Sequence, residues 1–387
     1  MKNEITKSIS YGLLGFCLGL IFLFCSCSLE IPETINQEMA GLPEEVDFNY
    51  HIKPILSDRC FKCHGPDEKT RKAGLRLDVE TLAFAKLASG NSAFSKGSVY
   101  GSEAAHRIVS TDLDVQMPPP DSNLRLSDRE KAMFIKWIEQ GAKWKEHWSF
   151  TSAKKTKASP LSVKKNKHVI DQFISDKLIE NDLSFEEEAT KETLIRRLRF
   201  DLTGIPPSIS EIDVFLKDSI PGSYERLVER LMDSEAFSER LSLDWLDLSR
   251  YADSHGLHAD GLRTMWPWRD WVIDAFKKNM PYDQFVTWQL AGDLLPNATK
   301  EQKLATAFNR NTPMTAEGGI IDEEWRLNYV FDRTETFSTA FLGLTVACAK
   351  CHDHKFDPIS QKDYYQLSAF FNNVRELGMT GDDGDFG

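Results

Sequence analysis

The chain has 387 residues, 41% hydrophobic and 11% aromatic, enough to bury a large core, and disorder as its main state is excluded. Its 47 basic and 59 acidic side chains leave a formal charge of −12, which argues against nucleic acid as a partner because phosphate binding needs a basic face. The seven cysteines are three in an apolar N-terminal stretch and four in two C-x-x-C pairs, which leaves none for an ordinary disulfide framework.

Lys2 and Lys7 precede an uncharged run whose apolar part, Leu13 to Phe24, is 12 residues long. That suits the hydrophobic region of a signal peptide, ~7–15 residues, better than a membrane span of ~20. Phe24-Cys25-Ser26-Cys27 follows, and a small residue directly before a cysteine resembles the bacterial lipoprotein signal. On that reading residues 1–26 are removed and Cys27 is acylated. A plain signal peptide and an uncleaved anchor are the alternatives. All three place the remainder outside the cytoplasm, in the periplasm or at the cell surface, and the first ties it to the membrane through lipid.

Residues 27–44 lack periodicity and read as a tether, and 45–150 as a compact unit. The lysine-rich stretch 151–168 is a linker whose charges are solvated. From 169 to 387 the pattern is helical. Ile170, Phe173, Ile174, Leu178 and Ile179 recur at 3.6-residue spacing, and Ser208-Ile-Ser-Glu211 is a capping box. Leu227, Leu231, Leu241, Trp245 and Leu248 continue the pattern, and Pro267 and Pro281 stand at helix starts. No useful strand alternation appears, so both domains are expected to be mainly α. The terminal Thr380-Gly-Asp-Asp-Gly-Asp-Phe-Gly387 carries no helix stop and reads as the end of a fragment or a frayed terminus.

Two motifs carry the chemistry: Cys60-Phe-Lys-Cys63-His64 and Cys348-Ala-Lys-Cys351-His352. C-x-x-C-H is the attachment motif of c-type haem. Two thiols add to the vinyl groups along one porphyrin edge, and the next imidazole reaches the iron from the same side. Composition alone would supply about 0.003 such motifs, and two are present. Two covalent haems c are therefore expected, with His64 and His352 as proximal ligands. A redox C-x-x-C, a zinc site and accidental cysteines are the alternatives, and a four-cysteine zinc site would leave both histidines unexplained.

For the first haem the candidate sixth ligand is Met117, in Gln116-Met117-Pro118-Pro119-Pro120, where prolines stiffen the loop around the thioether. A core-filling role for Met117, with His51 or His106 on the iron, is the alternative. Phe48, Ile52, Ile55 and Leu56 form a short helix leading into Cys60. Ser127-Asp-Arg-Glu130 is a capping box opening a helix with Met133, Phe134, Trp137 and Ile138 on one face and Gly141 at its end. This order resembles a class I cytochrome c. After the second motif only 35 residues remain and no Met-Pro loop. Its sixth ligand is left among His255, His258 and Met314, or the iron is five-coordinate. His354 is too near His352 in sequence to reach the opposite face of the same haem.

The first domain also resembles the planctomycete-type cytochrome c domain, through the helix into Cys60–His64, the Met117 loop and His147-Trp-Ser-Phe150. The remainder resembles its companion, a second cytochrome-like domain of unknown function (PSCyt-type proteins). The shared stretches are Leu202-Thr-Gly-Ile-Pro-Pro207, Arg250-Tyr-Ala-Asp253, Tyr282-Asp-Gln-Phe285, Leu290-Ala-Gly-Asp-Leu-Leu295, Arg310-Asn311, Glu317-Gly-Gly319 and the run from Cys348 to Pro358. The resemblance implies an extracytoplasmic protein that usually carries a further C-terminal domain, so this chain reads as the N-terminal part of a longer one. It also implies an association with polysaccharide degradation.

Three functions follow from these readings. The first is a dihaem electron-transfer module working with a redox partner protein. The second is a haem-dependent oxidoreductase acting on a carbohydrate-like substrate or peroxide, with Arg250, Tyr251, Asp253, Arg269 and Asp270 forming a polar pocket and Trp266, Trp268 and Trp271 stacking on a sugar. The plain alternative for these residues is paired charges and core. The third is a glycan-binding lipoprotein in which haem is incidental.

Overall fold

Helices account for the regular structure throughout the computed structural model, which describes residues 29–155, 168–258 and 260–379. The signal segment with Cys27 lies outside the described residues. Among them, pairing between extended segments is limited to isolated bridges, and no helix is long and apolar enough to cross a membrane. The chain divides into two units. The first runs to Ser152 and includes His352–Pro358; the second comprises Ala153–Cys351 and the chain from Ile359.

The first unit contains α1 (Glu33–Met39), a π-turn Phe48–Ile52 leading into α2 (Lys53–Arg59), α3 (Phe61–His64), α4 (Glu80–Ala83), α5 (Glu103–Val109) and α6 (Asp128–Glu139). Asp47 starts the π-turn, its carboxylate accepting from the Asn49 and Tyr50 amides at 2.8 and 3.1 Å. The capping box of α6 forms as its sequence requires, the Glu130 amide donating to Ser127 Oγ and the Ser127 amide to Glu130 Oε2 at 2.7 Å. Gly141 follows the helix at φ +96°, a conformation that favours glycine.

The burial of α6 is wider than one sequence-read face. Besides Met133, Phe134, Trp137 and Ile138 it buries Ala132 and Ile135, because α1 packs against it. The segment read as a tether is thus partly structural, with Ile35 of α1 buried in the core. Trp137 is fully buried, its indole N–H donating to the Lys143 carbonyl at 3.1 Å, and the Phe48 ring lies 4.1 Å from that of Trp144, tilted by 32°.

The second unit contains α7 (Val169–Glu180), α8 (Lys191–Thr203), α9 (Ile209–Lys217), α10 (Ser223–Met232), α11 (Glu235–Leu248), α12 (Trp266–Lys277), α13 (Tyr282–Ala291), α14 (Lys300–Ala305), α15 (Asp322–Phe337) and α16 (Gln361–Ser368). Three small cores hold it. Ile195, Phe215, Leu227 and Leu231 join α8, α9 and α10. Trp245, Trp268, Trp271, Phe285 and Phe308 join α11, α12 and α13. Val346, Ala349 and Tyr364 form the third, behind the second cysteine pair. Gly292 is required by close packing, since a Cβ there would lie 2.1 Å from the Gln302 carbonyl oxygen. The helical spacing from Ile170 to Ile179 is met by α7, yet Ile170, Phe173, Ile174 and Ile179 stay exposed.

Candidate haem site

Cys60 extends the helical run of α2, its amide donating to the Leu56 carbonyl at 2.8 Å. The next turn closes on Cys60 itself: its carbonyl accepts from the Cys63 amide at 3.1 Å and the His64 amide at 2.8 Å. Residues three and four apart on a helix share a face, so both thiols and the imidazole project to one side. Gly65 ends the turn. A Cβ there would sit 2.4 Å from the Phe61 carbonyl oxygen, so only glycine fits directly behind the histidine. The carbonyls left free at the turn are capped by the next loop, Lys72 donating to Cys63 at 2.7 Å and Leu77 to His64 at 2.8 Å.

On that side lies a largely apolar cleft with two lobes of about 290 and 340 Å³. Cys60, His64, Ala73, Ile108 and Met117 line both lobes, so the imidazole and the thioether stand where the lobes meet. Cys63 lines the second lobe beside Pro118 and Pro119. The loop bearing Met117 is held by its backbone, the Met117 amide donating to the Arg107 carbonyl at 3.0 Å at the end of α5. The Met117–Pro118 peptide is cis. Of the three sixth-ligand candidates, Met117 alone lines the cleft. His51 Nδ1 accepts from the Asp47 amide at 2.8 Å, and His106 Nε2 pairs with the Tyr100 carbonyl at 2.7 Å.

Burial sets the electrostatics. It holds His64 below the ordinary histidine range, against the Lys72 carbonyl, which favours the protonated ring; the Arg107 charge also pushes it down. The ring is therefore neutral at neutral pH, the form that binds a metal. Its Nδ1 is buried with no hydrogen-bond partner. Burial also pushes the Cys60 thiol up to about 12, with further upward contributions from Cys63 and Glu130. Two thiols, a neutral imidazole and a thioether around one apolar cleft are a donor set that fits covalent haem.

The second motif is built differently. Ala347–Lys350 form a 3₁₀ turn whose Ala349 enters the core with Val346 and Tyr364, while Cys348 and Cys351 remain exposed. Lys350 anchors it at both ends. Its carbonyl accepts from Gln361 Nε2 and the Tyr365 hydroxyl, each at 3.1 Å, and its ammonium lies 4.0 Å from the Phe331 ring centre. His352 Nδ1 faces the Asp353 carbonyl at 2.8 Å, which selects the tautomer with Nε2 free to bind a metal.

A family model described as a protein of unknown function (DUF1549), PSCyt2, matches residues 169–376, and one described as Planctomycete cytochrome C, PSCyt1, matches 60–121. The chain belongs to the PSCyt2 family. No curated protein and no solved structure matches it. The PSCyt1 match covers Cys60, Cys63, His64 and Met117, and similarity to a c-type cytochrome domain over residues 60–121 implies covalent haem there.

Within the PSCyt2 part, the remaining candidates fall in different places. His255 is buried with both ring nitrogens lacking a hydrogen-bond partner, and its carbonyl accepts from the Met314 amide at 2.8 Å. His258 is exposed. His354 staples its own turn, Nδ1 accepting from the Phe356 and Asp357 amides at 3.3 and 2.9 Å. Trp268 and Trp271 are core, the Trp268 indole donating to the Ala305 carbonyl at 3.1 Å, so the three tryptophans form no stacking platform. Only Trp266 is exposed, at 51%. The charged residues nearby are paired: Arg250 with Asp332, Tyr251 with Asp253, and Arg269 with Asp270.

Sequence reasoning passed over Gly65, Arg107 and Glu103. Glu103 and Arg107 pair at 2.9 Å and line the first lobe of the cleft. A glycine directly after C-x-x-C-H was the available signal for the first; the other two are placed only by folding.

Proposed function

We propose that this chain is an extracytoplasmic dihaem c-type cytochrome whose work is electron transfer to or from a partner protein. The observation that carries the reading is the convergence of Cys60, His64 and Met117 on the seam of one cleft, with a second C-x-x-C-H motif elsewhere in the chain. Bound haem would supply a reversible one-electron centre. The protein's own residues do the rest. Cys60 and Cys63 would tether the cofactor, neutral His64 would offer nitrogen to the first iron and His352 to the second, and the Met117 thioether would raise the potential of the first site relative to a second histidine. The apolar walls exclude water and favour the less charged state.

The exposed second pair suits a haem reached readily by a partner. Cys27 supplies the lipid anchor on this reading, which keeps the module at the membrane. The oxidoreductase reading has less support, because the charges around Arg250 are paired and Trp268 and Trp271 are core. The test is a haem count on chain matured with c-type machinery, by haemochrome absorbance and intact mass. Two covalent haems are expected. One haem removes the dihaem claim, and none, beside a control cytochrome that matures, overturns the reading.

A further inference from the structure

Half of the unpartnered buried polar atoms in the described residues converge on one small cavity in the second unit. These are Ser249 Oγ, Asn309 Oδ1, both amide atoms of Asn311, and Thr336 Oγ1. Ser249 and Asn311 are buried to 0% and 2% exposure, and Thr336 to 7%, so open solvent does not serve them. They come from three elements. Ser249 follows α11, Asn309 and Asn311 belong to the turn after α14, and Thr336 sits in the last turn of α15. The cavity measures about 10 Å³, about the space that one water molecule needs.

The chemistry of the walls selects the occupant. The charged neighbours are already paired. Asp332 is matched by Arg250; Arg333 donates to the Asn309 carbonyl at 2.8 Å and forks onto Glu376. What remains is two hydroxyls, two amide oxygens that accept and one amide nitrogen that donates. Water gives two hydrogen bonds and takes two, and it complements that set. A cation would be served by the oxygens alone, and would face the Asn311 N–H groups and the Arg333 guanidinium.

We propose that this cavity is a binding site for one internal water molecule, which joins the end of α11, the turn after α14 and the last turn of α15. A buried hydroxyl bonded to such a water stabilises the fold, whereas the same hydroxyl left dry costs stability. Near-isosteric removal therefore reads the site by sign. Thr336→Val and Ser249→Ala in the full chain are each expected to lower the midpoint of thermal unfolding by roughly 2–4 °C. Because both act through one water, the double variant should lose less than the sum. A midpoint that rises or stays put in both single variants overturns the proposal. A high-resolution crystal structure of the unaltered chain gives the second test. An oxygen-sized peak within hydrogen-bond reach of at least three of these groups is expected. A bare cavity, or a peak with the short contacts of a cation, overturns it.

Discussion

A methyl group at position 65 would lie 2.4 Å from one carbonyl oxygen and 2.8 Å from the Phe61 Cβ, and neither can move without unwinding the turn that carries the first cysteine pair. Gly65→Ala should destabilise the first unit by about 1–3 kcal/mol, an overpacking cost, and lower its haem content after maturation. Haem loading equal to that of the parent chain would refute the argument. Met117 acts on the bound state instead. Met117→Ala should leave haem content intact and lower the reduction potential of one haem only, and a redox titration that finds neither potential moved removes Met117 as a ligand. Glu211 tests a third kind of effect. The Ser208 amide holds its carboxyl below the usual range, helped by the Ser208 hydroxyl and Arg199. A lowered folded-state pKa contributes stability above the unfolded value of about 4.3, and that contribution fades as pH falls through the folded value. Glu211→Gln should therefore cost most near neutral pH, with the gap to the parent narrowing as the solution is made acid, read from denaturation series at neutral and acid pH.

At the scale of the element, α6 shows what local sequence carries and what it does not. Its box, its apolar stripe and its terminal glycine were all legible, since each depends on neighbours within four residues. Ser127→Ala should cost about 1 kcal/mol, measured by denaturant unfolding of the first unit. The burial of Ala132 and Ile135 was not legible, because it depends on α1, which lies some ninety residues earlier and shows no period of its own. The helix Val169–Glu180 errs in the opposite direction. Its spacing gave the right conformation, yet spacing says nothing of whether a partner element covers the stripe. The cleft is a stronger case. The first C-x-x-C-H motif and Met117 could be read as chemistry, but the cleft's walls are assembled from residues 56 to 138 and become neighbours only through folding.

For the whole molecule, the charge of −12 acts at a distance. If the chain transfers electrons as proposed, that charge would steer it towards a basic partner by long-range attraction, which salt screens with a Debye length of ~8 Å at physiological ionic strength. Its exchange rate with a basic acceptor should fall as ionic strength rises, and that with an acidic acceptor should rise. Stopped-flow rates that ignore salt for both would place the contact on a neutral patch.

The two cysteine pairs also differ in how readily a reagent in solution can touch them. Cys60 packs against a core, whereas Cys348 and Cys351 face solvent on a turn that Gln361, Tyr365 and Phe331 hold in shape. In cofactor-free chain an alkylating label should therefore mark the later pair first and Cys60 last, and mass spectrometry of timed samples would record that order. The same contrast bears on biosynthesis. On the proposed dihaem reading, the outward thiols of the second motif could be joined to their cofactor after the chain has folded, while Cys60, set in the wall of the cleft against the core, would be joined most readily before folding is complete.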